Sequence, residues 1–237
     1  MTNFEKELDD ILLSPHPEIS FYKKAQESKD FFNKLNEIFP ELRDCYNEPQ
    51  NNKWHIYNVL DHTLHSIKNI NELSTNLPTN TQKVLAYTMF YHDLGKPKAL
   101  KINLESVNPT HSFAYHQELS AEIVDRTIKN FSFNEDEQEQ IYGLVKYHDY
   151  FMLSYKNIDK YIKNQDTLKE CIKDDITFFG EGECGKNFLN NIVLVSKADN
   201  LAQNPELTGP SLEFLYCYES LLNKIDYNQS PNLEDGQ

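Results

Sequence analysis

Seven glycines and ten prolines are the strong chain breakers in 237 residues, and long stretches run without either. A sandwich or barrel of short strands needs turn residues about every 8–12 positions, so this chain is poorly suited to one. Apolar residues recurring every three to four positions predict helices instead. An acidic helix is expected around 3–13 and a second over 20–39, where Phe31, Leu35, Ile38 and Phe39 form a stripe that Pro40 ends. Residues 47–52 read as a loop, dividing an N-terminal helical extension, 1–49, from a main body, 50–225. The body's first helix is expected over about 54–73, with Ile56, Leu60, Thr63, Ile67 and Ile70 on one face. Thr81 is a cap candidate for the next, which runs to about Leu94; Gly95 suits a left-handed terminator, and Pro97 forbids resumption. Further helices are expected over 117–130, 135–148, 159–173, 187–203 and 211–224, with a loop holding Gly180, Gly182 and Gly185. Strand alternation is nowhere sustained, no repeat is found, and residues 226–237 read as a frayed tail. The fold class is all-α.

A chain of this length buries a core without disulfides or metals as staples. Thirty-seven acidic against 23 basic residues leave a net charge of −14. That field repels polyanions and argues against a coat for long nucleic acid, while leaving room for a local pocket for a small phosphate. Cys45, Cys171, Cys184 and Cys217 are scattered without a CxxC pair and read as reduced thiols of a cytoplasmic protein. No apolar run approaches the roughly 20 residues of a membrane span. The N-terminus MTNFEKELDD lacks a signal-peptide core. Neither a membrane location nor secretion is expected, and the sequence sets no oligomeric state.

Patterning next marks residues on the wrong faces. Near 187, Phe188, Ile192 and Val195 define an apolar stripe, and at about 100° per residue Asp199 falls in its middle. A carboxylate there costs several kcal/mol unless a cation or good donors meet it. Alone, it reads equally well as a core aspartate capping a helix or pairing with a lysine. His148 intrudes in the same way on the stripe of Ile141, Leu144 and Val145. One such histidine is more often a satisfied core residue than a ligand, but two intrusions on separate faces point to convergence. His92-Asp93 adds a neutral nitrogen and a carboxylate oxygen side by side at a helix end, a mixed set suited to a divalent cation. His62 lies at the edge of its helix stripe, and His116 lies where a helix begins.

In this order, His62, His92-Asp93, His116, His148 and Asp199, the chain resembles the HD-domain superfamily of metal-dependent phosphohydrolases. It is most similar to the HD regions of bacterial tRNA nucleotidyltransferases and to stand-alone HD hydrolases. The matching segments are VLDHTLHSI, FYHDLGKPKAL, FAYHQELSAEIV, LVKYHDYF and VSKADNLAQ, which span about residues 54–205. Tyr115-His116-Gln117 departs from the Gly-His-Glu that members often carry. The 49 residues before the body cannot hold a nucleotidyltransferase head, so CCA addition is not expected.

The resemblance implies an HD-type helical bundle and a set of roles. His62, His92, Asp93 and Asp199 would hold a first divalent ion. His116 and His148 would hold a second, with Asp93 as the bridge. Mn, Fe, Co, Ni and Zn all suit these ligands. The implied reaction is hydrolysis of a phosphomonoester or phosphodiester of a small nucleotide-like substrate by metal-activated water. Asp93 and Lys96 are its catalytic candidates, with Lys96 offering a point charge to the phosphate. Two alternatives use the same ligands: a di-iron oxygenase, and a non-catalytic nucleotide-binding module with a structural metal.

Other residues receive plainer readings. Lys98 and Lys101 read as solvated surface, and His16 and His65 as solvent-facing. His55 either lines the pocket or lies on the surface, and His111 is a weaker candidate for reaching substrate. Residues 181–186 superficially resemble a phosphate loop, but GxxxxGK[ST] is not met. The segment 150–186 is a candidate lid.

Overall fold

Short polar side chains set the first helix boundaries. Thr2 accepts a hydrogen bond from Glu5 N, and Ser28 accepts one from Phe31 N. In the computed structural model, which describes residues 2–104 and 109–225, these caps open α1 (Asn3–Leu12) and α3 (Lys29–Ile38), with α2 (Pro17–Glu27) between. The helix expected over 20–39 is therefore two. Ser28, at φ −135° and ψ 95°, leaves the helical region to end α2 and cap α3. The apolar stripe survives the break, since Phe31, Leu35 and Phe39 are all buried.

After α4 (Leu42–Asn47), an irregular segment over 48–58 is pinned by a bridge between Pro49 and Asn58. The helix expected from 54 begins instead at Val59, because Asn58 Oδ1 accepts from Asp61 N and fixes the cap there. Ile56, assigned to its stripe, is consequently exposed. The centre of the bundle is α5 (Val59–Leu73), α6 (Thr79–Tyr91), α9 (Glu135–Lys146) and α12 (Gly182–Leu201), with α12 packed on α5 and α6 on α9. On one side α8 (His116–Thr127) packs on α9; on the other, α11 (Gln165–Phe179) and α13 (Pro205–Leu222) flank α12, with the short α10 (Ile158–Lys163) against both. A continuous buried cluster joins Leu8, Phe21 and Leu35 to Leu64, Leu85, Ile141, Ile192 and Leu215. Each such side chain contributes about 1.5–3 kcal/mol. Helix α1 is also pinned by charge: Glu5 and Asp9 both meet Lys83, at 3.2 and 2.8 Å.

Several boundaries differ from expectation for physical reasons. Thr81 lies inside α6, which begins at Thr79 behind Pro78. Gly95 is right-handed, at φ −79°, and helix resumes at once as the single turn Lys96–Ala99, called α7. Pro97 is tolerated in that first turn, where its missing N–H would have had no partner. What position 95 requires is proximity: a Cβ there would lie 2.5 Å from His116 O and 2.7 Å from Ser120 N. The helix expected over 159–173 divides into α10 and α11, and α12 starts at Gly182, well before 187. Among the described residues there is one minor sheet: β1 (Lys101–Asn103) pairs antiparallel with β2 (Thr110–Ser112), too short to leave an alternating pattern. The architecture is an all-α bundle. The tail expected over 226–237 lies outside the described residues. Among the described residues no helix is long and apolar enough to cross a membrane.

Candidate metal centre

Five separate pieces of the chain bring six buried side chains to one place. His62 comes from α5, His92 and Asp93 follow α6, His116 opens α8, His148 follows α9, and Asp199 comes from α12. Each histidine is oriented by its backbone. His92 Nδ1 donates to Met89 O at 2.6 Å, His116 to Phe113 O at 2.8 Å, and His148 to Val145 O at 2.7 Å, each carbonyl lying three residues earlier. His62 Nδ1 reaches Ala202 O at 3.3 Å. A carbonyl only accepts, so Nδ1 carries the hydrogen and Nε2 of the neutral ring presents a lone pair to the interior.

These lone pairs face one another. Nε2 of His62 and Nε2 of His92 are 3.4 Å apart, and those of His116 and His148 are 3.0 Å apart. The carboxylates complete two groups, His62/His92/Asp199 and Asp93/His116/His148, whose donor atoms lie within 4.8 Å of one another in each group. Asp199 Oδ1 is 2.8 Å from His62 Nε2, and Asp199 Oδ2 accepts from Gln203 Nε2 at 3.1 Å. Asp93 addresses both groups. Its Oδ2 is 3.2 Å from His92 Nε2 and 3.4 Å from His62 Nε2, while its Oδ1 is 3.2 Å from His116 Nε2.

Among the described residues neither Asp93 oxygen has a partner in hydrogen-bond geometry, although both are buried. The Lys96 ammonium, 2.7 Å from Oδ2, is a charge contact. Converging lone pairs and orphaned carboxylate oxygens are costly to bury without a cation among them. The donor set therefore fits divalent ions, and imidazole nitrogens fixed by Nδ1 hydrogen bonds are the usual way proteins orient such ligands.

Without an ion the group holds charge internally. Burial opposes a charged His92, but Asp93 and Asp199 outweigh it and push the ring up to about 10. Burial also opposes charge on the carboxylates. His92 and Lys96 nevertheless hold Asp93 well below the usual range, and His62 and His92 do the same for Asp199. Burial, with His116 and His92 close by, lowers His148 despite Asp149.

With this geometry in place, the sequence pattern of the HD domain family is found to match residues 59–204, a span that contains all six side chains. The chain belongs to the HD domain family. Its superfamily is that of metal-dependent phosphohydrolases, and both histidine–aspartate groups of this HD chain could hold metal. No curated protein matches it.

The remaining candidates fall in several places. Lys96 is buried and held beside Asp93 rather than free at a surface. His55 lines the centre, its ring packed edge-on to His62 at 5.2 Å; burial, Lys96 and His62 push it down to about 2. His111 is committed to Pro49 O at 2.7 Å. Lys98 and Lys101 are exposed, as is His16. His65 is not free in solvent: it is half-buried and stacks on Tyr57 at 4.1 Å. Residues 182–186 start a helix, with Lys186 donating to Ile225 O at 2.7 Å.

Asp149 was missed by the sequence reading. It lies 3.6 Å from His116 Nε2 and 3.8 Å from His148 Nε2. The signal was present, since residues 148–149 are a second His-Asp doublet. Gln50 left none, because its role depends on a contact distant in sequence.

Proposed function

We propose that this protein hydrolyses a phosphate ester of a small nucleotide-like substrate, using two divalent ions. The observation that carries this reading is Asp93, which turns one oxygen to each group of histidines. His62, His92 and Asp199 would hold one ion, His116 and His148 the other, and Asp93 would bridge. Bound divalent ions supply a water of pKa lowered from 15.7 towards about 7 and a clamp for phosphoryl oxygens.

The chain's own residues do the rest. Nδ1–carbonyl bonds fix all four rings, so no reorientation accompanies the reaction. The Lys96 charge beside Asp93 favours negative charge building nearby. Asp149, 22% exposed, is the open edge of the second group, in a depression also lined by Gln117, Lys146 and Tyr150. Substrate approaching there meets the Lys146 cation together with the Glu118 carboxylate. The net charge of −14 favours a small phosphate over long nucleic acid. Unpaired thiols suit a cytoplasmic location.

Metal analysis of the purified protein, paired with phosphate release from a nucleotide panel under Mn, Co, Ni and Fe, tests the reading. About two ions per chain with phosphate released supports it. Iron with oxygen uptake and no phosphate would replace it with the oxygenase. Metal without either activity, and unfolding on its removal, would favour the non-catalytic module.

A further inference from the structure

Lys96 is only 5% exposed. Its ammonium has three N–H donors and no acceptor. Among the described residues two acceptors meet it, Gln50 Oε1 at 2.8 Å and His55 Nε2 at 3.4 Å, and Asp93 Oδ2 makes the charge contact at 2.7 Å. The Phe113 ring lies over it, 5.6 Å from Nζ to the centroid.

The side-chain orientations are fixed independently. Asn52 Oδ1 accepts from Trp54 N at 3.0 Å, which identifies it as the oxygen. His55 Nδ1, 2.9 Å from the same oxygen, must then carry a hydrogen, leaving the Nε2 lone pair to face Lys96. Gln50 Nε2 points to Tyr57 O at 3.5 Å, which leaves Oε1 for the lysine. Both Gln50 and His55 belong to the irregular segment 48–58, ahead of the family match at 59–204.

We propose that Lys96 is a positioning residue and that Gln50 and His55 form a two-acceptor socket that holds it against Asp93. Two of its three donors are engaged by these acceptors, and its charge is committed to Asp93 Oδ2. Held against Oδ2, it stops the Asp93 carboxylate from rotating and keeps Oδ1 directed at His116 and His148. The segment before α5 thus sets the geometry of the second ion's site. This rests on the two-ion reading above.

Two measurements test it, one of which needs no metal. In the metal-free protein labelled with ¹⁵N-lysine, a buried and hydrogen-bonded ammonium exchanges slowly with water. It should give a resolved signal at low temperature, absent in Lys96→Arg. The signal should disappear in His55→Phe and Gln50→Leu, which keep bulk but remove an acceptor, and should return in His55→Gln, which restores one.

In cobalt(II) titrations followed by absorbance, His55→Phe and Gln50→Leu should bind the first ion as the wild type does. The second should bind roughly tenfold more weakly, the scale of loss for partners that orient metal ligands, and His55→Gln should recover it. No resolved Lys96 signal in the wild type, or unaltered second-ion binding in both acceptor-less variants, would overturn the proposal. A wild-type chain that binds no cobalt defeats the two-ion reading and the socket's effect on an ion. A Lys96 signal that persists there and is lost in His55→Phe still supports the socket itself.

Discussion

His116 Nε2 and His148 Nε2 stand 3.0 Å apart with both Nδ1 atoms already spent on backbone carbonyls. Nε2 lone pairs so placed repel, and a cation between them removes the repulsion. Divalent ions should therefore stabilise the fold. At a concentration one hundred times the dissociation constant the gain is about 2.7 kcal/mol for one site. Thermal melts with Mn or Co against chelator check this, and identical midpoints would count against a metal site.

Asp93 serves both groups, whereas His148 serves one. Asp93→Asn should lose both ions and reduce phosphate release by at least about a hundredfold, the upper range for disturbing merely the outer partners of a metal. His148→Ala should keep one ion per chain. Equal metal content in the two variants would contradict the bridging role.

Asp149 flanks the outer side of the second histidine pair. Asp149→Asn should weaken the second ion roughly tenfold while leaving the first unaltered. Competition with a chelator of known affinity reads the two steps separately.

Gly95 lies against the backbone of α8, with no room for a methyl group. Gly95→Ala should push His116 outward, costing about 1–3 kcal/mol of stability together with the second ion. A urea midpoint and a metal count on one sample test both.

Far from the centre, Glu5 receives Ser132 N and Ser132 Oγ, each at 2.8 Å, besides Lys83. Burial raises its carboxyl, but these partners outweigh burial and leave it below the usual 4.5. The folded state then binds fewer protons than the unfolded one. Glu5's contribution is complete above 4.5 and is lost as pH falls through the folded value. Glu5→Gln should cost about 1–3 kcal/mol at neutral pH, and its deficit against wild type should shrink on acidification. Urea unfolding at several pH values shows whether it does.

The helical architecture was legible because Leu60, Ile67, Ile192 and Val195 keep helical spacing whatever surrounds them. Asp199 and His148 stood out because they set polar groups on that apolar spacing, and the structure brings both into the buried groups. Boundaries were less legible where one side chain decides them, as Ser28 and Asn58 do. Gly95 was misread because its need for a bare Cα comes from α8, a partner some twenty residues away. The surroundings of Lys96 were only half visible for the same reason: His55 was a candidate for the pocket, but Gln50 carries no periodic signature and matters only once the chain has folded back.

Three of the four imidazoles lean on a carbonyl three residues upstream, so their pose is inherited from the local turn of the chain. Such rings do not wait for an ion to arrange them, and they cannot flip to offer Nδ1 instead. The cradle would keep its shape whether filled or bare, so an ion could depart and a different one settle in its place without any helix having to move.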